Sequence, residues 1–231
     1  MKSLVDAPEA APVPQVQSNR AARWALAGLS LSMLLSSLGT SIANVALPTL
    51  AEAFAATFPQ VQWVVLAYLL AVTALIVSVG RLGDVIGRRQ LLLVGIALFT
   101  VGSLLCGFAS TLWLLIAARA VQGLGAATMM ALTMAFVGDI VPKTQTGRAM
   151  GLLGTMSAVG TALGPSLGGI LITASGWRTI FLLNLPLGLA AFLLARSHLP
   201  TDRRDSARPR AGFDGVGTLL LALTLGLYAL A

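Results

Sequence analysis

Six stretches of the chain are apolar over the length needed to cross a lipid bilayer, and this feature constrains the fold more than any other. A spanning helix needs about 20 mostly apolar residues. In lipid every backbone amide must be satisfied within the segment, so such stretches form α-helices. The composition agrees, because 57% of the residues are hydrophobic and only 10% are charged. The six predicted spans cover residues 24–47, 61–79, 91–108, 112–137, 149–173 and 179–195.

The residues around these spans complete the predicted organisation. Residues 1–23 are rich in alanine, proline and polar side chains, so they are expected to form a disordered tail. Residues 24–195 would form a six-helix bundle, followed by a basic linker over residues 196–213. A further apolar stretch over residues 214–231 predicts the start of a seventh helix, so we expect the chain to be part of a longer protein. The expected fold is an all-α integral membrane protein.

The distribution of lysine and arginine predicts the orientation in the membrane. Thirteen of the fifteen basic residues fall in the tail, in the connections after the second and fourth spans, or in the linker. Because positively charged connections stay on the cytoplasmic side, the amino terminus should be cytoplasmic. The scattered charges also exclude nucleic acid as a partner, since the sequence shows no basic face with interleaved aromatic residues.

Few side chains could support catalysis or bind a metal. The single cysteine, Cys106, lies within an apolar span, where it is expected to pack as a small apolar residue. The single histidine, His198, follows the sixth span, and an interfacial position is favoured over a metal ligand. With no nucleophile–base pair, metal cluster or phosphate-binding loop, the sequence predicts neither an enzyme nor a cofactor.

Charged residues also occur at two informative places near or within the spans. Residues 80–89, with the sequence GRLGDVIGRR, predict a charged loop between the second and third spans. Arg119 lies inside the fourth span, where an arginine costs about 2.5–3.5 kcal/mol, so it must face protein or a water-filled cavity. Gln122 shares its helix face, and Thr40 and Asn44 form a polar stripe on the first helix. Two interpretations stay open, because such stripes line an aqueous cavity or form hydrogen bonds between helices.

The fifth span contains closely spaced small residues. Gly160, Gly164 and Gly168 recur every four residues, with Pro165 and Gly169 beside them. A face of small residues lets another helix approach closely, and a proline removes one intrahelical hydrogen bond and should kink the helix. The pattern predicts a tight helix contact, which would be ordinary packing or a contact that also works as a gate.

Together these stretches resemble the major facilitator superfamily, and most closely its fourteen-helix drug:proton antiporter branch. The resemblance covers nearly everything after residue 24. Residues 119–123 (RAVQG) are similar to the fourth-helix motif, and residues 160–169 (GTALGPSLGG) are similar to the fifth-helix antiporter motif. Residues 80–89 resemble the signature between the second and third helices, whose marked positions are Gly80, Asp84, Gly87, Arg88 and Arg89.

The resemblance implies roles for several of these residues. Asp84 would face the amino-terminal end of a helix in the second half of the transporter, where partial positive charge favours an anion. Arg88 would pair with Asp84 and with Asp139. With the signature glycines and Arg89, this network would form a cytoplasmic latch that holds the outward-open state. Arg119 would tune the protonation of a nearby acid, so protons are the expected coupling ion.

The chain departs from the family at Gly39, where the fourteen-helix branch usually carries an aspartate, so no acid lies in the middle of a complete span. Three functions stay open: export of hydrophobic or cationic small molecules, a metabolite carrier with different coupling, or a truncated membrane protein that transports nothing. The antiporter-like fifth helix favours export. The expected partners are membrane lipid, a small-molecule substrate, protons and a carboxy-terminal half, and the expected location is a bacterial inner membrane.

Overall fold

The computed structural model describes residues 15–200, and over that range the chain is helical and contains no β-strand. Among these residues, six stretches are long and apolar enough to cross a membrane. This confirms the predicted all-α organisation. The helices are α1 (Gln15–Ala53), α2 (Phe58–Ile86), α3 (Arg88–Gly107), α4 (Leu112–Ile140), α5 (Thr146–Ser175), α6 (Arg178–Leu182) and α7 (Asn184–His198), with a 3₁₀ turn at Lys143–Gln145.

The two ends of the described region differ from the predicted boundaries. α1 begins at Gln15, so residues 15–23, which the sequence placed in a disordered tail, are helical instead. Alanine and arginine there are good helix formers, and they extend the helix beyond its apolar part. α7 continues to His198 and includes the first residues of the predicted linker. The rest of that linker from residue 201, and the predicted seventh helix, lie outside the described residues.

The sixth predicted span is divided into α6 and α7 around Leu183. Pro186 has no amide hydrogen, so it cannot donate to the carbonyl of Leu182 four residues earlier. The backbone nevertheless keeps helical angles at Leu183, with φ −55° and ψ −33°, and its amide donates to the carbonyl of Thr179 at 2.9 Å. The interruption therefore lies in the hydrogen bonding and not in the backbone angles.

Helices α1 and α4 form the inside of the bundle, whereas α2 and α5 lie at its periphery. The spanning part is 72% buried in α1 and 61% buried in α4, but only 22% in α2 and 17% in α5. Apolar side chains from several helices fill one core cluster around Leu35, Phe99 and Leu132. A second cluster, around Leu50 and Leu115, lies at the opposite end of the bundle from the α2–α3 connection.

Helices α3 and α4 approach each other closely at Gly125. A Cβ atom on Gly125 would meet the backbone amide of Phe99 and lie 2.7 Å from the carbonyl oxygen of Gly95. Backbone atoms cannot move aside as the end of a flexible side chain can, so this crossing requires glycine. The contact fixes α4 against α3.

Candidate functional site

The charged segment over residues 80–89 is helical except at one residue. α2 continues through Gly80 and Asp84 to Ile86, and α3 begins at Arg88. Only Gly87 separates the two helices, and its φ of 107° is one that residues with a side chain rarely adopt. The predicted loop is therefore wrong for most of the segment, because α2 keeps its backbone hydrogen bonds as it passes the end of its apolar run.

Two arginines at the start of α3 connect it to two other helices. Nη1 of Arg88 lies 3.1 Å from Oδ2 of Asp139, near the end of α4. Nη2 of Arg89 donates to the carbonyl oxygen of Arg196 at 2.5 Å, in the last turn of α7, where a helix carries partial negative charge. The structure thus brings Arg88 and Asp139 together. The side chain of Asp84 is not among those described, so its part in the latch stays a prediction.

The ion pair between Arg88 and Asp139 should add little to stability. The two side chains are 34% and 48% exposed, and exposed ion pairs contribute about 0–1 kcal/mol. We therefore expect Asp139→Asn to lower the free energy of unfolding by less than about 1 kcal/mol, measured on the purified protein. Glu52→Gln, at an exposed carboxylate near the end of α1, is the matched control. A much larger loss for Asp139→Asn alone would show that the pair holds the bundle together.

Arg119 is enclosed by the bundle, with none of its surface exposed. Its Nε donates to the carbonyl oxygen of Val64 at 3.0 Å, and its Nη1 donates to Oε1 of Gln122 at 2.6 Å. The guanidinium carbon lies 4.2 Å from the ring centre of Tyr68 and 5.9 Å from that of Phe181. The charge is therefore compensated by two aromatic faces, by the carbonyl of Val64 on α2 and by the amide oxygen of Gln122 on its own helix.

Gln122 and Tyr68 extend this polar network to α3 and α1. Nε2 of Gln122 donates to Oγ of Ser103 at 2.5 Å, and the hydroxyl of Tyr68 donates to the carbonyl oxygen of Ser36 at 2.8 Å. The same carbonyl accepts the hydroxyl of Thr40 at 3.1 Å. The network thus crosses four helices. Ser103 was not among the predicted site residues, because a single serine in an apolar span forms no periodic pattern.

No carboxylate reaches Arg119 from the described part of the chain. The acids of residues 15–200 are Glu52, Asp84 and Asp139, and each lies near the end of its helix. At a rise of 1.5 Å per residue, Asp84 is about 24 Å along α2 from Tyr68. Arg119 therefore has no opposite charge beside it among the described side chains, an arrangement that is costly in a low-dielectric interior.

Some polar atoms beside the network also have no hydrogen-bond partner among the described residues. One of them is Nη2 of Arg119. Gly39 faces the network, since a Cβ atom there would lie 3.6 Å from the hydroxyl of Tyr68 and 3.2 Å from the ring of Phe99. An aspartate at this position would enter the network, whereas this chain places no side chain there.

The polar stripe of α1 turns away from the network along the helix. Ser36 is buried, Thr40 is half-buried and Asn44 is exposed. Nδ2 of Asn44 donates to the carbonyl oxygen of Thr40 at 3.2 Å, within the same helix. Of the four residues predicted to line a cavity, Arg119 and Gln122 are enclosed between helices, and Asn44 lies on the outer surface of the bundle.

The glycines of α5 pack against α1. A Cβ atom on Gly160 would lie 2.6 Å from the carbonyl oxygen of Leu34, so the two helices are in backbone contact. Pro165 is exposed, and a Cβ atom on Gly169 would meet nothing within 4 Å. The antiporter-like motif therefore forms this contact through three of its five predicted residues. These are Gly160, Gly164 and Gly168, all buried.

Cys106 and His198 both have packing contacts. Within residues 15–200, no group of three or more histidine, cysteine, aspartate or glutamate side chains could hold a metal ion. Sγ of the buried Cys106 lies 4.0 Å from Oε1 of Gln122. His198 stacks against Trp24 with ring centres 6.0 Å apart, which joins the end of α7 to α1.

The amino-acid sequence of the chain matches a known protein family and several of its members. A sequence profile of the Major Facilitator Superfamily matches residues 29–229. The chain is 37% identical over 203 residues to "Riboflavin transporter RibZ" of Clostridioides difficile, covering 88% of this chain and 44% of RibZ. It is also 37% identical over 209 residues to "Multidrug resistance protein Stp" of Mycobacterium tuberculosis, covering 90% of this chain and 38% of Stp. The chain thus spans less than half the length of these relatives.

A solved structure shows the same arrangement of helices. It is a bacterial homologue of the human lysosomal transporter Spinster, in an inward-facing and unoccupied conformation. The superposition has a TM-score of 0.69 at 16% sequence identity, and it covers 85% of this chain and 46% of that one. The two proteins therefore share a fold over the six-helix bundle.

Proposed function

The chain belongs to the major facilitator superfamily, and on that premise we propose that it is the amino-terminal half of a secondary transporter. The transporter exports hydrophobic or cationic small molecules by alternating access, from a bacterial inner membrane with the amino terminus in the cytoplasm. The observation that carries the proposal is α5, whose antiporter-like glycines pack on α1. The 37% identity to a multidrug resistance protein supports the same assignment.

A carboxy-terminal half would cover the opposite face of α5. Cβ atoms on Gly151 and Gly154 would meet nothing within 4 Å, and Ala158 and Ala162 are exposed on the same helix. Small residues are enriched where membrane helices contact one another. In transporters of this architecture the substrate site lies between two halves that rock about it. We therefore assign the small-residue face of α5 to contact with the second half.

The cytoplasmic latch would couple the two halves. Asp84 lies on the last turn of α2, where it would face the amino-terminal end of a helix of the second half. Arg88 would connect this contact to Asp139 on α4, through the ion pair at 3.1 Å. The network would hold the outward-open state and break as the halves rock.

Proton coupling requires a titratable group that is reachable from both sides of the membrane. The described spans carry carboxylates only near helix ends, and Arg119 is paired with neutral oxygen atoms and aromatic rings. We therefore assign the proton-carrying acid to the second half of the transporter. In this assignment Arg119 is the fixed charge of the amino-terminal half, and Gln122 and Tyr68 hold it in place.

Export is tested with the full-length gene in a bacterial strain that lacks its own efflux pumps. Overexpression is expected to lower the accumulation of the cationic dye ethidium, and a proton uncoupler is expected to remove the difference. The Arg119→Met variant, expressed to the same level in the membrane, is the control. Unchanged accumulation of several cationic dyes would count against export.

A second candidate is a metabolite carrier of the same superfamily. The 37% identity to a riboflavin transporter favours it, as does the lack of a carboxylate away from the helix ends of the described spans. Uptake of labelled riboflavin by the full-length protein, with unchanged ethidium accumulation, would select this candidate. The 231-residue chain alone, reconstituted in liposomes, is expected to transport neither compound. Transport by that chain would contradict its assignment as one half.

A further inference from the structure

Pro165 lies inside α5 and leaves one carbonyl group of the helix without its usual partner. Because proline has no amide hydrogen, the carbonyl oxygen of Thr161, four residues earlier, cannot accept an intrahelical hydrogen bond from it. A bilayer offers no water in its place, so an unsatisfied backbone group there is strongly unfavourable. α5 therefore requires a donor from another helix at this point.

Ser41 of α1 supplies that donor. Its Oγ donates to the carbonyl oxygen of Thr161 at 2.7 Å. Gly164 makes the approach possible, since a Cβ atom there would lie 2.6 Å from the Cβ of Ser41. The glycine and the proline of this motif thus act together, because one lets α1 come close and the other leaves an acceptor for it.

Other hydroxyl groups of α1 behave differently. Ser32, Ser36 and Thr40 each donate to the carbonyl oxygen four residues earlier in their own helix, at 3.0–3.1 Å. Ser37, one turn before Ser41, also faces α5, but its partner is the side-chain hydroxyl of Ser157 at 2.7 Å. Of these five hydroxyls, only that of Ser41 bonds to a carbonyl that a proline has left free.

We propose that Ser41 replaces the amide hydrogen that Pro165 lacks, and that this bond joins α1 and α5 into one rigid pair during the transport cycle. The first part concerns the bundle itself, and the second rests on the proposed function. Ser41 is thus a positioning residue, since it acts through α5. The bond also explains how a proline is accommodated in a continuous helix of 30 residues.

A double-mutant cycle on the full-length transporter tests the proposal. Ser41→Ala is expected to lower the thermal unfolding midpoint by about 2–4 °C, because the carbonyl of Thr161 loses its partner. Pro165→Ala restores an amide hydrogen to that carbonyl and makes the serine redundant. The double variant should therefore unfold within about 1 °C of Pro165→Ala alone. Ethidium efflux should follow the same pattern. It should fall in Ser41→Ala, and in the double variant it should lie within about twofold of the rate of Pro165→Ala alone.

Ser37→Ala is the matched control, because its partner is a side chain that Pro165→Ala does not affect. Ser37→Ala should change the unfolding midpoint by the same amount in the wild type and in Pro165→Ala. If Ser41→Ala lowered the unfolding midpoint equally in the wild type and in Pro165→Ala, or lowered it in neither, the proposal would be overturned. Pro165→Leu restores the same amide and replaces the alanine variant if that one does not fold. If the wild type does not export ethidium, the proposed function fails, while the unfolding cycle still decides the role of Ser41.

Discussion

Replacing Arg119 by methionine is expected to abolish transport by the full-length protein while leaving its stability intact. The guanidinium is fully buried, and no carboxylate of the described residues reaches it. Replacing a whole buried ion pair by apolar side chains of similar volume is often neutral, or stabilising by about 1–4 kcal/mol, whereas removing one partner leaves an uncompensated charge. Arg119 has no carboxylate partner among the described residues, so its replacement leaves no such charge. Gln122 would lose one partner but keep its bond to Ser103. We therefore expect the free energy of unfolding to stay the same or rise.

This expectation separates a functional charge from a structural one. Transport and thermal unfolding are to be measured on the same purified preparations. Arg178→Met is the control, since Arg178 is exposed at the start of α6 and bonds to the carbonyl oxygen of Ala109 at 3.3 Å. It should leave transport close to the wild-type value. If Arg119→Met lost stability and transport together, Arg119 would be a structural residue of the bundle.

Replacing Gly125 by alanine is expected to prevent correct folding. The added Cβ would lie against the backbone of α3 at Phe99 and Gly95, so the two helices would have to separate. Overpacking a dense core costs typically about 1–3 kcal/mol, and a backbone clash belongs at the upper end or beyond. The measurements are the yield of monodisperse protein and its unfolding midpoint.

Gly138→Ala is the matched control on the same helix. A Cβ atom at Gly138 would meet nothing within 4 Å. Alanine is favoured over glycine in a helix by about 1 kcal/mol, so this variant should be at least as stable as the wild type. Equal stability of the two variants would show that α3 and α4 cross elsewhere than at Gly125.

The membrane spans could be predicted from the sequence because their signal is local. An apolar run of sufficient length must form a helix in lipid, whatever its neighbours are. The extension of α1 to Gln15, and of α2 to Ile86, was missed because a helix continues past its apolar part wherever its backbone bonds can continue. The interruption at Leu183 follows from Pro186, which cannot donate to the carbonyl of Leu182. This could be inferred only after the residues before and after Leu183 were known to be helical.

The partners of each helix face could not be predicted in the same way. Periodicity places Arg119 and Gln122 on one side of α4, but it does not say whether a cavity or another helix lies opposite. The ion pair of Arg88 with Asp139 joins residues 51 positions apart, and only the family resemblance suggested it. Likewise, Gly125 and Gly138 are the same residue type in one helix, and only the position of α3 makes one of them essential.

The single residue between α2 and α3 removes a freedom that longer connections have. Neighbouring Cα atoms are about 3.8 Å apart, so Ile86 and Arg88 can never separate by more than about 7 Å. Any displacement of the end of α2 at Ile86 must therefore be followed by the start of α3. Arg89 bonds there to the carbonyl of Arg196, so the same displacement also reaches the end of α7. The ends of α2 and α7 and the start of α3 are therefore expected to move together.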